Sequence, residues 1–308
     1  MRYIRKGAVM LFLLALTGCS KDEAGNDSDA PVPVRFEAGS PEVFKSRTEI
    51  NTLSNLQSAG FGVFAYYTGA TAWESAKASA TPNFMYNQQV TYSSGWTYTP
   101  VKYWPNADGE KVSFFAYAPY TSNTTGFSTN TAAGAPIISY TWGTTNDLLY
   151  DKQIDQVKGT VSSAVTFTFK HALAKVEFKA RRDNGTLGTI TINSLSITSN
   201  GATLGTFNLS EATWSSSSAD ASPLTSLAES KTVPADYNET VSLGSSLMIP
   251  GNVTFTHDFS YTIQSIVKDL PATAISPITL EAGHKYTITF VISQYSVTVD
   301  TEKFTEQW

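Results

Sequence analysis

A single thiol is the most reactive side chain in this sequence of 308 residues. Cys19 follows Leu16-Thr17-Gly18, and ahead of these lie the cations Arg2, Arg5 and Lys6 and the apolar stretch from Ala8 to Leu16. That stretch is too short to span a bilayer as a helix. Small residues before a cysteine at the end of such a segment resemble a bacterial lipobox. In that chemistry the thiol is diacylated, the chain is cut so that Cys19 becomes the first residue, and its amine is usually acylated in turn. Residues 1–18 therefore read as a lipoprotein signal peptide outside the fold. Two or three acyl chains hold a soluble body to an outer membrane where one would not.

Little else in the chain has the spacing of a reactive centre. His171, His257 and His284 are far apart and form no metal-binding pattern. His171 reads as a structural turn residue, His257 as packed in a strand and His284 as exposed. No nucleophile elbow, phosphate loop or dinucleotide-binding glycine pattern occurs. Asp147, Asp151 and Asp155 are four apart in a stretch of helical character, 147–155, and would line one face of a helix. Without a calcium-loop glycine that face reads as solvated. Trp73, Trp96, Tyr98 and Trp104 could stack on sugars or pack in a core, and core packing is favoured. The expectation is a protein without catalytic, cofactor or metal residues. A hydrolase using a dispersed carboxylate pair is the least favoured reading.

Composition bounds the rest. One cysteine excludes a disulfide framework. A net charge of -5 without long basic runs argues against nucleic acid. Losing Arg2, Arg5 and Lys6 with the signal leaves 18 Lys and Arg against 26 Asp and Glu. Residues 20–30, rich in Ser, Asp and Gly, read as a flexible tether. Abundant Thr, Tyr, Phe and Val among Gly, Asn and Ser turns suits an all-β chain.

The elements follow from alternation. Val32, Val34 and Phe36 point one way and Pro33 and Arg35 the other, which predicts a first strand, placed at an edge because Pro33 lacks a donor. Gly62 to Tyr67 is apolar on both faces, as a buried strand requires. Ile190 and Ile192 are in phase, and Asn193-Ser194 shifts that phase before Leu195, which predicts a bulge. From Val253 to Ile263, six consecutive odd positions carry large side chains. Tyr295, Val297 and Val299 close the pattern. Short strands with turn signals predict β-sandwiches in tandem: a tether at 19–31, one domain at 32–162 and another at 163–308.

Several segments, in order, resemble the fimbrillin family of Bacteroides-type bacteria. They are the lipobox at Cys19, the stretch from Trp96 to Pro105 (WTYTPVKYWP), Val112 to Pro119 (VSFFAYAP), Asp147-Leu148-Leu149-Tyr150, Phe167 to Val176 (FTFKHALAKV) and Gly283-His284-Lys285-Tyr286. The acidic Ser20-Lys21-Asp22-Glu23 is similar to the surface-export signal of such lipoproteins and equally to a plain linker. The resemblance implies two transthyretin-like β-sandwich domains in an adhesive subunit of cell-surface fimbriae. Such subunits assemble by strand exchange. An arginine-specific protease removes an N-terminal segment, and a neighbouring subunit's strand fills the groove. Arg47, in a polar stretch after the first strand, is the residue that fits the cut. Val32, Val34 and Phe36 would leave, and Tyr295, Val297 and Val299 are suited to enter. The implied partners are further copies or related subunits, the protease and the outer membrane. The competing reading is a monomeric surface lipoprotein that binds host glycan or host protein.

Overall fold

The computed structural model describes residues 30–39, 50, 52–130, 133–143, 147–159, 164–218 and 222–307. Cys19 and Arg47 lie outside them. In chain order the elements begin with β1 (Phe36–Gly39), α1 (Leu53–Ala59), β2 (Phe61–Gly69), α2 (Trp73–Ala76), β3 (Met85–Tyr92), β4 (Trp96–Thr97) and β5 (Lys111–Ala118). Next are β6 (Phe127–Thr129), β7 (Ile137–Thr141), β8 (Leu149–Val157), β9 (Val165–Thr168), β10 (Lys170–His171), β11 (Ala174–Arg182), β12 (Ile190–Ser199), β13 (Ala202–Asn208) and β14 (Thr213–Ser218). The chain continues with β15 (Ser222–Ser226), β16 (Lys231–Thr232), β17 (Val241–Met248), β18 (Gly251–Val253), β19 (Phe255–Ile263) and β20 (Ile266–Ala274). The last three are β21 (Ile278–Leu280), β22 (His284–Ile292) and β23 (Val297–Gln307). The fold is all-β, as expected.

Three cores organise these strands. A six-stranded sheet, β10-β8-β5-β2-β3-β4, lies at the centre of the first half. Residues alternate across its two middle strands. Phe61, Val63, Ala65, Val112, Phe114 and Ala116 enter one core. Phe64, Tyr66, Phe115 and Tyr117 enter another. Both faces are covered, which is why these strands carry almost continuous apolar residues. The second core lies under the sheet β14-β13-β7-β6, which takes two strands from each side of residue 162. Trp73 is fully buried there, and its indole N–H donates to Ser210 Oγ at 2.8 Å. The third core fills a sandwich between β17-β11-β22-β23 and the sheet β15-β12-β19-β20. Phe255, His257, Phe259, Tyr261 and Ile263 are all buried, as their alternation predicts. The β12–β19 register shifts between Ile192 and Ser194, where a bulge is expected.

Gly62 shows how tightly the central sheet is filled. A Cβ there would lie 2.3 Å from the Tyr117 ring, which β5 holds directly opposite. The Tyr117 hydroxyl donates to Asn87 Oδ1 and accepts from the Thr121 N–H, so the ring is held in place. Gly62→Ala is expected to lower unfolding free energy by roughly 1–3 kcal/mol through overpacking, read from the urea midpoint at unchanged slope.

One expected element is corrected. Residues 147–155 are not helical. From Leu149 they form β8, paired with β5 and β10. The three carboxylates consequently diverge, and each accepts a backbone N–H from a remote segment. Asp147 takes that of Ile50, Asp151 that of Thr168 and Asp155 that of Trp73.

Candidate functional site

The first core is closed by a narrow sheet opposite the six-stranded one, and residues 32–39 are its middle. Pro33 pairs with Tyr103 in an antiparallel bridge. The bonds of that bridge are made by the flanking residues. Val34 donates to the Lys102 carbonyl at 2.8 Å, and Trp104 donates to the Val32 carbonyl at 2.9 Å. Three residues after Pro33 the segment has changed neighbours. Phe36 to Gly39 pair in parallel with Val165 to Thr168. The Val165 N–H bonds the Arg35 carbonyl at 2.8 Å, and the Phe169 N–H bonds the Gly39 carbonyl at 3.2 Å. The edge position expected from Pro33 is therefore corrected. In such a bridge the central residue's own N–H faces away from the partner strand, so a proline fits between two neighbours.

Alternation decides what this segment buries. Val34 is 1% exposed and Phe36 3%, while Arg35 and Glu37 face outward. Val32, at 42%, stays on the rim. Phe36 sits among four rings, with centroids 5.3 Å away for Tyr98, 5.7 Å for Phe167, 5.8 Å for Phe114 and 6.2 Å for Phe61. Tyr98 adds a polar tie. Its hydroxyl donates to the Val34 carbonyl at 2.8 Å and accepts from the Lys102 N–H at 3.2 Å. Burial raises its pKa above that of a free phenol, so it remains a donor.

Where the chain re-enters the described body, Ile50 is buried and its N–H reaches Asp147 Oδ2 at 3.3 Å. His171 Nδ1 lies 2.9 Å from the same oxygen, and both side chains are shut from solvent. His171 is thus an interior partner, where the sequence suggested a turn. His257 packs edge-on against Phe290 at 5.1 Å, and burial lowers its pKa. His284 Nδ1 is 3.0 Å from the Ala282 carbonyl. Among the described residues no group of three His, Cys, Asp or Glu could hold a metal ion.

The other residues singled out in the sequence lie elsewhere. Trp104, 7% exposed, packs on Phe114 in the first core, and Trp73 belongs to the second, so neither offers a sugar-stacking face. Tyr295 is 82% exposed in the turn before β23. Val297 and Val299 pack half-buried on the third core, opposite Ile292 and Phe290. β23 is an edge strand with β22 as its neighbour. Tyr98, Phe167 and the Asp147–His171 pair were not singled out as groove residues, because their roles depend on contacts far along the chain.

Comparison with known proteins bears on the family of the chain. A family model described as fimbrillin-like matches residues 47–308. The fimbrium subunit Fim1C of Phocaeicola vulgatus is 33% identical over 238 residues, 70% of this chain and 62% of that protein. The match thus spans under two thirds of that relative's length. The crystal structure of a fimbrial protein from Bacteroides vulgatus is 25% identical with a TM-score of 0.70, covering 90% of this chain and 99% of that one.

Proposed function

The chain belongs to the fimbrillin-like family, and from that premise we propose that it is a structural, adhesive subunit of cell-surface fimbriae assembled by strand replacement. The observation that carries this reading is the position of residues 32–39. They are bonded to a strip on each side, they bury Val34 and Phe36, and they precede Arg47 in the chain. A cut after Arg47 would sever their covalent link to the body. Their loss would uncover the Phe36 cage and strip the partners of Lys102, Trp104, Val165 and Phe169. An apolar slot with unpaired backbone on both sides favours an incoming strand.

The arginines support the choice of Arg47. The Arg35 carbonyl is bonded by Val165, and Arg181 and Arg182 lie inside β11 against β22. The Arg182 guanidinium also donates to the carbonyls of Pro234, Thr186 and Gly188. A backbone fixed in this way is a poor protease substrate. For the donor we propose β23 with Tyr295, Val297 and Val299. It pairs on one side, so it can leave by breaking one ladder. Cys19 carries the lipid in this reading, tethering the precursor to the outer membrane, and no catalysis is involved. We place the domain joint after His171, since Val165, Phe167 and Phe169 line the first core.

Treating the unlipidated chain with an arginine-specific protease is expected to produce a new N-terminus at Thr48 and oligomers stable to mild detergent. Arg47→Ala should stay intact and monomeric. A chain cut at Arg47 that remains monomeric after losing residues 32–39 would sink the proposal.

A further inference from the structure

β3 and the chain leaving β4 part company just beyond their last paired residues. Thr91 and Tyr92 face Thr97 and Trp96, after which the two strands splay. Gln88 spans the gap by donating from its carboxamide to the Thr99 carbonyl at 3.2 Å and to the Gln89 carbonyl at 3.0 Å. The opening is a cleft of about 410 Å³ lined by Gln88, Gln89, Thr91, Thr97, Tyr98 and Thr99. That volume falls in the range of roughly 300–1,000 Å³ usual for small-molecule sites.

Its chemistry is narrow. Two carboxamides and three threonine hydroxyls supply both donors and acceptors. The lining carries neither an acid nor a base. Threonine methyls and the Tyr98 ring supply apolar surface between these groups. A sugar ring presents the same mixture, with hydroxyls at its rim and C–H groups on its faces. An anionic ligand would find no cation here, and a purely apolar ligand would desolvate the Gln89 carboxamide and the threonine hydroxyls without offering them a hydrogen bond.

We propose that this cleft binds a neutral oligosaccharide. Of the aromatics considered in the sequence for sugar stacking, Tyr98 alone lines this cleft, and the site does not depend on strand replacement. It does adjoin that groove, because Tyr98 forms a wall of the cleft while its hydroxyl holds Val34.

The test uses the uncut, unlipidated chain and calorimetric titration with a panel of neutral tri- and tetrasaccharides. An acidic trisaccharide and an uncharged hexapeptide serve as comparisons. At least one neutral sugar is expected to bind. Gln89→Ala and Thr97→Val, both at exposed positions, should each weaken it tenfold or more without moving the unfolding midpoint. The proposal would be overturned by no neutral sugar binding at millimolar concentration, by binding that both variants leave unchanged, or by tighter binding of the acidic sugar. Hexapeptide binding lost in both variants would reassign the cleft to strand addition and equally end it.

Discussion

Phe36→Ala is expected to cost the uncut chain about 3–5 kcal/mol of unfolding free energy, the range for emptying a buried phenylalanine site. The residue is 3% exposed and touches four aromatic rings drawn from three parts of the first core. Phe61 and Phe114 come from the six-stranded sheet, Phe167 from β9, and Tyr98 from the chain after β4. A core built from so many directions collapses poorly into a void, which favours the upper part of the range. Phe36→Leu keeps most of the volume and should cost under about 1.5 kcal/mol. The informative comparison is with chain cut after Arg47 and freed of residues 32–39. Wild type and Phe36→Ala are then the same molecule, so the difference must vanish. Urea unfolding of the four samples reads this directly. A loss below about 1 kcal/mol in the uncut variant would mean that Phe36 does not seat the segment.

This contrast follows from a feature that was partly legible in the sequence. The alternation of Val32, Val34 and Phe36 marked an inward face, of which Val34 and Phe36 are buried while Val32 stays exposed. The neighbours of the strand were not legible. One is a strip at 102–104 and the other lies at 165–168, both far away in sequence. The proline that suggested an edge sits instead where the segment's bonds are made by the residues on either side. The same physics explains β8. Aspartates four apart suggest a helix, but the spacing arises because each carboxylate serves a different distant N–H. Asp155 has a φ of 53°, at an irregularity in the β5–β8 pairing that further obscures the alternation. Trp73 and Trp104 were ambiguous for a simpler reason. An aromatic in a polar stretch is exposed or buried according to the sheet placed over it, and the sheet over Trp73 is assembled from both halves of the chain.

Asp147→Ala is expected to be about as damaging as Phe36→Ala in the uncut chain, and unlike it, equally damaging after the cut. The carboxylate is fully buried, with His171 Nδ1 2.9 Å from one oxygen and the Ile50 N–H bonded to that same oxygen. Removing one member of a buried polar pair leaves the other desolvated, at a cost of about 3–5 kcal/mol. Asp147→Asn retains a carbonyl oxygen for the Ile50 N–H and should cost less. A double-mutant cycle with His171→Gln isolates the energy of the pair from the rest. The location gives this pair a role beyond stability. Ile50 lies three residues after Arg47, so Asp147 grips the chain at the boundary between the part proposed to leave and the part that stays. The N-terminal segment can therefore depart without pulling α1 from the body, where Leu56 is fully buried in the first core. In cut Asp147→Ala, amide protection should fall at Ile50 and along Leu53–Ala59, while β11 and β22 in the third core keep theirs. Unchanged protection in α1, or a loss below about 1 kcal/mol, would show that the buried pair does not hold the new chain end.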